Sequence, residues 1–135
     1  MTIKKNDVDI NLNILIMDDE EFIREIFVEL LGELNHRVAE SVEGAEAVEL
    51  YKKSVEAGDP FDIVFLDLTI KGGLGGRETV KLLREINPNV KVVVSSGYSD
   101  SSISKYKEDG FNSRLNKPFT IEELQLVISE ILDEG

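Results

Sequence analysis

Short apolar runs alternate along this chain with longer stretches in which apolar positions recur every three or four residues. The runs Ile14-Leu15-Ile16-Met17, Phe61-Asp62-Ile63-Val64-Phe65-Leu66 and Val90-Lys91-Val92-Val93-Val94 read as buried strands. The pattern predicts strands over Asn11–Met17, His36–Glu40, Phe61–Leu66, Val90–Val94 and about Asn112–Asn116, the second short and weak. Between them lie amphipathic helices. Phe22, Ile23, Ile26, Phe27, Leu30, Leu31 and Leu34 share one helical face, and Asn35, which tolerates a left-handed cap, stops that helix. A second helix carries Ala45, Val48, Tyr51 and Val55 and ends at Gly58-Asp59-Pro60, while a third spans about Arg77–Ile86 up to Asn87-Pro88. A fourth, near Ser101–Asp109, is poorly amphipathic, with Ile103 and Tyr106 its main anchors. Thr120 reads as the N-cap of a fifth helix, with Glu122 and Glu123 in its first turn and Ile121, Leu124, Val127, Ile128 and Ile131 facing the core.

This alternation predicts an α/β domain, a single five-stranded parallel sheet with helices on both faces. Right-handed crossovers put the carboxyl ends of all strands on one edge. Residues 1–10 form a polar lead, 11–133 the domain and 134–135 a short tail, with no room for a second domain.

Composition narrows the function. The formal net charge of −12 argues against general binding to nucleic acid. Much of the acid, such as Glu43, Glu46, Glu49, Glu122 and Glu123, falls on solvated helix faces. There is no Cys, which removes disulfides and thiol chemistry and fits a reducing cytoplasm. The apolar runs are too short to span a bilayer, and the polar start lacks a signal-peptide core, so no direct membrane contact is expected. The single histidine, His36, has no partner for metal or catalysis in its neighbourhood and reads as a turn residue entering a strand.

The chemistry lies where the strands end. Met17 is followed by Asp18-Asp19, Leu66 by Asp67, Val94 by Ser95-Ser96, and the last strand by Lys117-Pro118-Phe119. Ligands of open α/β sheets bind along that edge. An acidic pair before a helix is by itself ordinary capping, a serine at a strand end an ordinary turn residue, and Lys-Pro an ordinary terminator. Their joint occurrence, each after its own strand, points to phosphoryl chemistry around a divalent cation. Asp18, Asp19 and Asp67 would repel one another, and Mg²⁺ suits a few carboxylates plus water. Lys117 adds positive charge within reach of a phosphoryl oxygen or Asp67, and Ser95 a hydroxyl donor.

Ile16-Met17-Asp18-Asp19-Glu20, Leu66-Asp67-Leu68-Thr69, Ser95-Ser96-Gly97 and Lys117-Pro118-Phe119 carry a resemblance. In this order, with Asp19, Asp67, Ser95 and Lys117 spaced 48, 28 and 22 residues apart, they resemble the receiver domain of two-component response regulators over nearly the whole chain. The loop Leu68–Gly76 and the stretch Ser95–Ser99 resemble receivers of hybrid sensor histidine kinases. The resemblance implies a flavodoxin-like, doubly wound (βα)5 fold. It implies Asp67 as phosphoacceptor, taking a phosphoryl group from a sensor histidine kinase or a histidine phosphotransfer domain. It also implies Mg²⁺ held by Asp19, Asp67 and the Thr69 backbone carbonyl, with Asp18 acting mainly through water. Ser95 and Lys117 would bind the phosphoryl oxygens, and the Lys117–Pro118 peptide would be cis. The chain would then be a signalling module of the cytoplasm. Apart from its own phosphorylation and dephosphorylation it would not be an enzyme. Its end at Asp133-Glu134-Gly135 and its hybrid-kinase likeness favour a domain excised from a longer parent kinase.

Two positions depart from the family pattern. Arg114 stands three residues before Lys117, where an aromatic switch residue is usual, so coupling through a rotating ring gives way to an Arg that moves differently or forms a salt bridge. Lys71 stands where a proline is common. The loosely held fourth helix suggests that phosphorylation reorganises the surface of that helix, the fifth strand and the fifth helix. The alternative is a small Mg²⁺-dependent phosphohydrolase of the haloacid dehalogenase type, which needs a second Asp where this chain has Thr69. A flavodoxin-like binding module without phosphorylation is a third reading, opposed by the intact Asp, Ser and Lys set.

Overall fold

A computed structural model of the chain describes residues 11–97 and 105–133. Strands β1 (Asn13–Met17), β2 (Arg37–Ser41), β3 (Ile63–Asp67), β4 (Val92–Gly97) and β5 (Ser113–Lys117) form one parallel sheet in the order β2-β1-β3-β4-β5. Helices α1 (Glu21–Glu33), α2 (Gly44–Glu56), α3 (Gly76–Ile86) and α4 (Ile121–Asp133) cover it. The chain steps one way from β1 to β2 and the other way from β2 to β3 and β4. Right-handed crossovers therefore put α1 on one face and α2 and α3 on the other. Strand side chains alternate, so Leu15, Met17, Val64, Leu66, Val92 and Val94 pack with Ala47, Tyr51, Val80 and Leu83 of α2 and α3. Ile14, Ile16, Ile63, Phe65, Val93 and Leu115 pack with Phe27, Leu31, Leu124 and Ile128 of α1 and α4.

The helix ends follow local chemistry. Asn35 takes φ 68°, the left-handed cap its sequence position predicts. Thr120 Oγ1 accepts from the Glu123 N–H at 3.1 Å, and the Glu123 carboxylate accepts from the Thr120 N–H at 2.9 Å, closing a capping box. His36 precedes β2, and its Nδ1 accepts the Leu12 N–H at 3.2 Å, a structural role. The fourth helix expected near Ser101–Asp109 falls partly on residues 101–104, which lie outside the described residues. The described part is a set of tight turns, with Phe111 N–H donating to the Tyr106 carbonyl at 2.9 Å and Gly110 at φ 103°. The left-handed Gly110 directly follows Asp109, the expected end of that segment.

The strands run further toward their carboxyl ends than their apolar runs do. Asp67, Ser95, Ser96 and Lys117 are strand residues, because the ladder continues as Asp67↔Ser95, Ser95↔Leu115 and Gly97↔Lys117. The polar groups are thus fixed by backbone pairing and not by loops. Helix α3 adds a further constraint: a Cβ built on Gly76 would stand 2.8 Å from the Asp67 carbonyl oxygen. Gly76→Ala is therefore expected to lower stability by about 1–3 kcal/mol in urea unfolding, as overpacking against immovable backbone does.

Candidate functional site

The winding direction reverses between β1 and β3, which opens a crevice beyond their carboxyl ends. Period-two alternation decides what enters it. Asp18 follows Ile16, Asp67 follows Phe65 and Ser95 follows Val93, each two residues further along the apolar row that faces α1 and α4. These three polar side chains therefore continue the core of that face past its end, and all three residues are buried. Burial of charge at this point requires partners.

Lys117 provides them. Its Nζ donates to Asp18 Oδ2 at 2.5 Å and stands 3.4 Å from Asp67 Oδ2. Asp18 Oδ1 accepts the Glu20 N–H at 2.9 Å, so this fully buried carboxylate is engaged on both oxygens. The lysine thus sits closer to Asp18 than to Asp67, the partner its sequence position suggested. Burial alone would lower the Lys117 pKa, but the Asp18 hydrogen bond and the charges of Asp67 and Asp18 outweigh it and hold the ammonium above its ordinary range. Asp67 goes the other way. Burial, helped by the Asp18 charge, raises its pKa to about 6 against the opposing pull of Lys117 and a hydrogen bond from the Thr69 backbone. Burial thus leaves Asp67 poorly satisfied as an anion, a condition that a bound cation relieves.

A cavity of about 700 Å³ opens over these groups, lined by Asp19, Glu20, Ile23, Asp67, Thr69, Lys71, Gly97, Lys117 and Pro118. Carboxylate oxygens of Asp18, Asp19 and Glu20 lie within 4.8 Å of one another, close enough to share one cation. Asp19 Oδ2 also accepts the Lys71 N–H at 3.3 Å. Paired with Asp67 across the ladder, Ser95 has a buried hydroxyl oxygen with no hydrogen-bond partner among the described residues. A buried hydroxyl in that condition is ready for an incoming acceptor. The Lys117–Pro118 peptide is cis.

The structure thus brings Asp18, Asp19, Asp67, Thr69, Ser95 and Lys117 to one sheet edge, as the order of the strands dictates. It adds Glu20 and Lys71, which sequence reasoning did not place in the site: Glu20 extends the acidic pair, and Lys71 comes four residues after Asp67. Arg114 forms no salt bridge among the described residues; its guanidinium lies over the Tyr106 ring at 5.8 Å.

Comparison with known proteins gives a consistent answer. A family model described as "Response regulator receiver domain" matches residues 14–129. The chain is 28% identical over 123 residues to sporulation initiation phosphotransferase F of Bacillus subtilis, covering 90% of this chain and 94% of that protein. It is 27% identical over 132 residues to sensor kinase CckA of Brucella abortus, covering 97% of this chain but only 14% of the kinase's length. Among solved structures, a response regulator receiver protein from Sinorhizobium medicae superposes with a TM-score of 0.76 at 29% identity, over 91% of this chain and 95% of that one.

Proposed function

This chain belongs to the response regulator receiver domain family, and from that premise we propose that Asp67 is its phosphoacceptor. It is a receiver domain of two-component signalling, homologous to proteins that accept a phosphoryl group on an aspartate. The observation that carries the assignment to Asp67 is its place. It opens onto the cavity with Lys117 3.4 Å away and, on the adjacent strand, a Ser95 hydroxyl that has no partner among the described residues.

A carboxylate is already a nucleophile, so no base is needed. An Asp67 oxygen bonds to phosphorus as the bond from phosphorus to the donor nitrogen breaks. The electron pair stays with that nitrogen, which takes a proton from solvent. Lys117 neutralises one phosphoryl oxygen and Ser95 Oγ donates to another, each from a position fixed by backbone pairing, so catalysis is positioning and electrostatics.

Receiver domains bind Mg²⁺ at an acidic pocket. Here Asp19, Asp67 and the Thr69 carbonyl would hold it, with Asp18 contributing charge from behind and Glu20 at the rim. The convergence of Asp18, Asp19 and Glu20 and the raised pKa of Asp67 both fit a hard cation. Bound there, Mg²⁺ supplies positive charge to the transferring phosphoryl group. Because Asp67 must lose its proton to serve as ligand, Mg²⁺ affinity is expected to fall about tenfold between about pH 7.5 and pH 5, as read by calorimetric titration.

Receiver domains pair with histidine kinases or phosphotransfer proteins. On our reading the donor is a sensor histidine kinase or a histidine phosphotransfer domain, and the module acts in the cytoplasm. It carries the signal by protein contact and not by catalysis of its own. The likeness to a sensor kinase many times its length supports work within a hybrid kinase. Among the described residues no helix is long and apolar enough to cross a membrane.

Intact mass after incubation with phosphoramidate and Mg²⁺ tests the proposal. One added phosphoryl group, absent with chelator, is the expected result. Steady release of inorganic phosphate without an adduct would overturn it in favour of hydrolysis.

A further inference from the structure

Lys117 is already bound to Asp18 and beside Asp67 before any phosphoryl group arrives, so a different cation is placed to meet the incoming donor first. Lys71 lines the cavity over Asp67. Its placement has a local cause: the Lys71 N–H donates to Asp19 Oδ2 at 3.3 Å and ties the loop after β3 to the acidic pair. A proline at this position would have no N–H to make that bond. The Lys71 side chain is exposed, and its ammonium pairs with no carboxylate among the described residues. The cavity therefore has two cations in different conditions. Lys117 is half-buried and paired with two acids, whereas Lys71 is exposed, with no carboxylate partner among the described residues.

We propose that Lys71 is a donor-binding residue: its ammonium contacts the phosphoryl oxygens of the phosphodonor as the donor enters the Asp67 cavity. The chemistry it recognises is a dianionic phosphoryl group, whether on a small phosphoramidate or on a phosphorylated imidazole. In a chain of net charge −12, a dianion approaching a rim of Asp19 and Glu20 meets repulsion, and a cation at that rim offsets it. The bond changes are those at Asp67 described above; Lys71 forms no bond to phosphorus and gives up no proton.

This inference rests on phosphoryl uptake at Asp67, and the test separates the two. The rate of adduct formation with phosphoramidate and Mg²⁺ is compared for wild type, Lys71→Met and Lys71→Arg, with Mg²⁺ affinity measured on the same proteins. Lys71→Met is expected to lower the second-order rate constant about two- to fivefold, the scale of one exposed ion pair. Lys71→Arg should restore it, and the difference should shrink as salt is added. Mg²⁺ affinity should move oppositely, tightening in Lys71→Met because a positive charge has left the rim. A merely structural role for Lys71 would weaken both. Equal rates in wild type and Lys71→Met, or a loss of rate that Arg does not restore, would overturn the role of Lys71 while leaving Asp67 as acceptor. No adduct in the wild type itself would sink the reading of Asp67 on which the inference stands.

Discussion

Asp67→Asn is expected to accept no phosphoryl group and yet, without metal at about pH 7.5, to be more stable than the wild type. The two effects share one cause. The folded protein holds the Asp67 carboxyl at about 6 against an ordinary value of 3.8, chiefly through burial. Between those values the folded chain binds more protons than the unfolded chain, so stability falls as pH rises through that window. Above about pH 6 the cost of the buried anion is fully present. Asn matches the neutral carboxyl in shape and escapes that cost, a gain of about 1–2 kcal/mol after allowing for partial solvent contact. The advantage should vanish below about pH 4, where wild-type Asp67 is protonated in both states. Adding Mg²⁺ should also reverse the order, since Asn offers the cation a far poorer ligand. A urea-unfolding series across pH, with and without Mg²⁺, reads all three effects. A variant no more stable than wild type at neutral pH would show that Asp67 bears no such strain.

Lys117→Met should do more damage to stability. Asp18 is completely buried, and Lys117 is the cation its Oδ2 meets. Removing that cation leaves a buried carboxylate beside Asp67 with no countercharge, a situation that typically costs about 3–5 kcal/mol and so lowers the melting temperature by roughly 10–20 °C. Mg²⁺ should recover part of this loss and bind more tightly than to wild type, because it replaces the missing charge. Phosphoryl uptake should nevertheless fall by about a hundredfold, the usual scale for loss of one preorganised contact to a developing anion. Tighter metal with slower chemistry is a pairing that general misfolding does not produce. If the variant took up phosphoryl at the wild-type rate, Lys117 would be a structural partner of Asp18 and nothing more.

Much of this arrangement was legible in the sequence because it depends on order. Apolar runs at Ile14–Met17, Phe61–Leu66 and Val90–Val94 mark strands whatever their neighbours do, and parallel connection then gathers the polar residues at the strand ends along one edge. Asn35 and Thr120 were legible for a similar reason, since a left-handed cap and a capping box involve only a few adjacent residues. Pairing between strands was not legible. Ser95 and Lys117 are polar and so end any hydrophobic run, yet the ladder carries them inside β4 and β5. The preference of Lys117 for Asp18 depends on a lateral distance that spacing along the chain does not encode. Lys71 was not legible as a site residue because its role arises from a backbone N–H to Asp19, and every residue except proline offers that group. Arg114 shows the same limit: its stacking on Tyr106 depends on how the turn at Lys105–Gly110 folds back over β5.

The measurement that bears most directly on the central claim is reductive trapping of the phosphorylated protein. An acyl phosphate on an aspartate is reduced by borohydride to homoserine, and peptide mass spectrometry then reports which aspartate changed. After incubation with phosphoramidate and Mg²⁺, conversion is expected at Asp67 alone, and none in protein that met no phosphodonor. Conversion at Asp18 or Asp19, or a phosphoryl group on Ser95 that survives the reductant, would contradict the account.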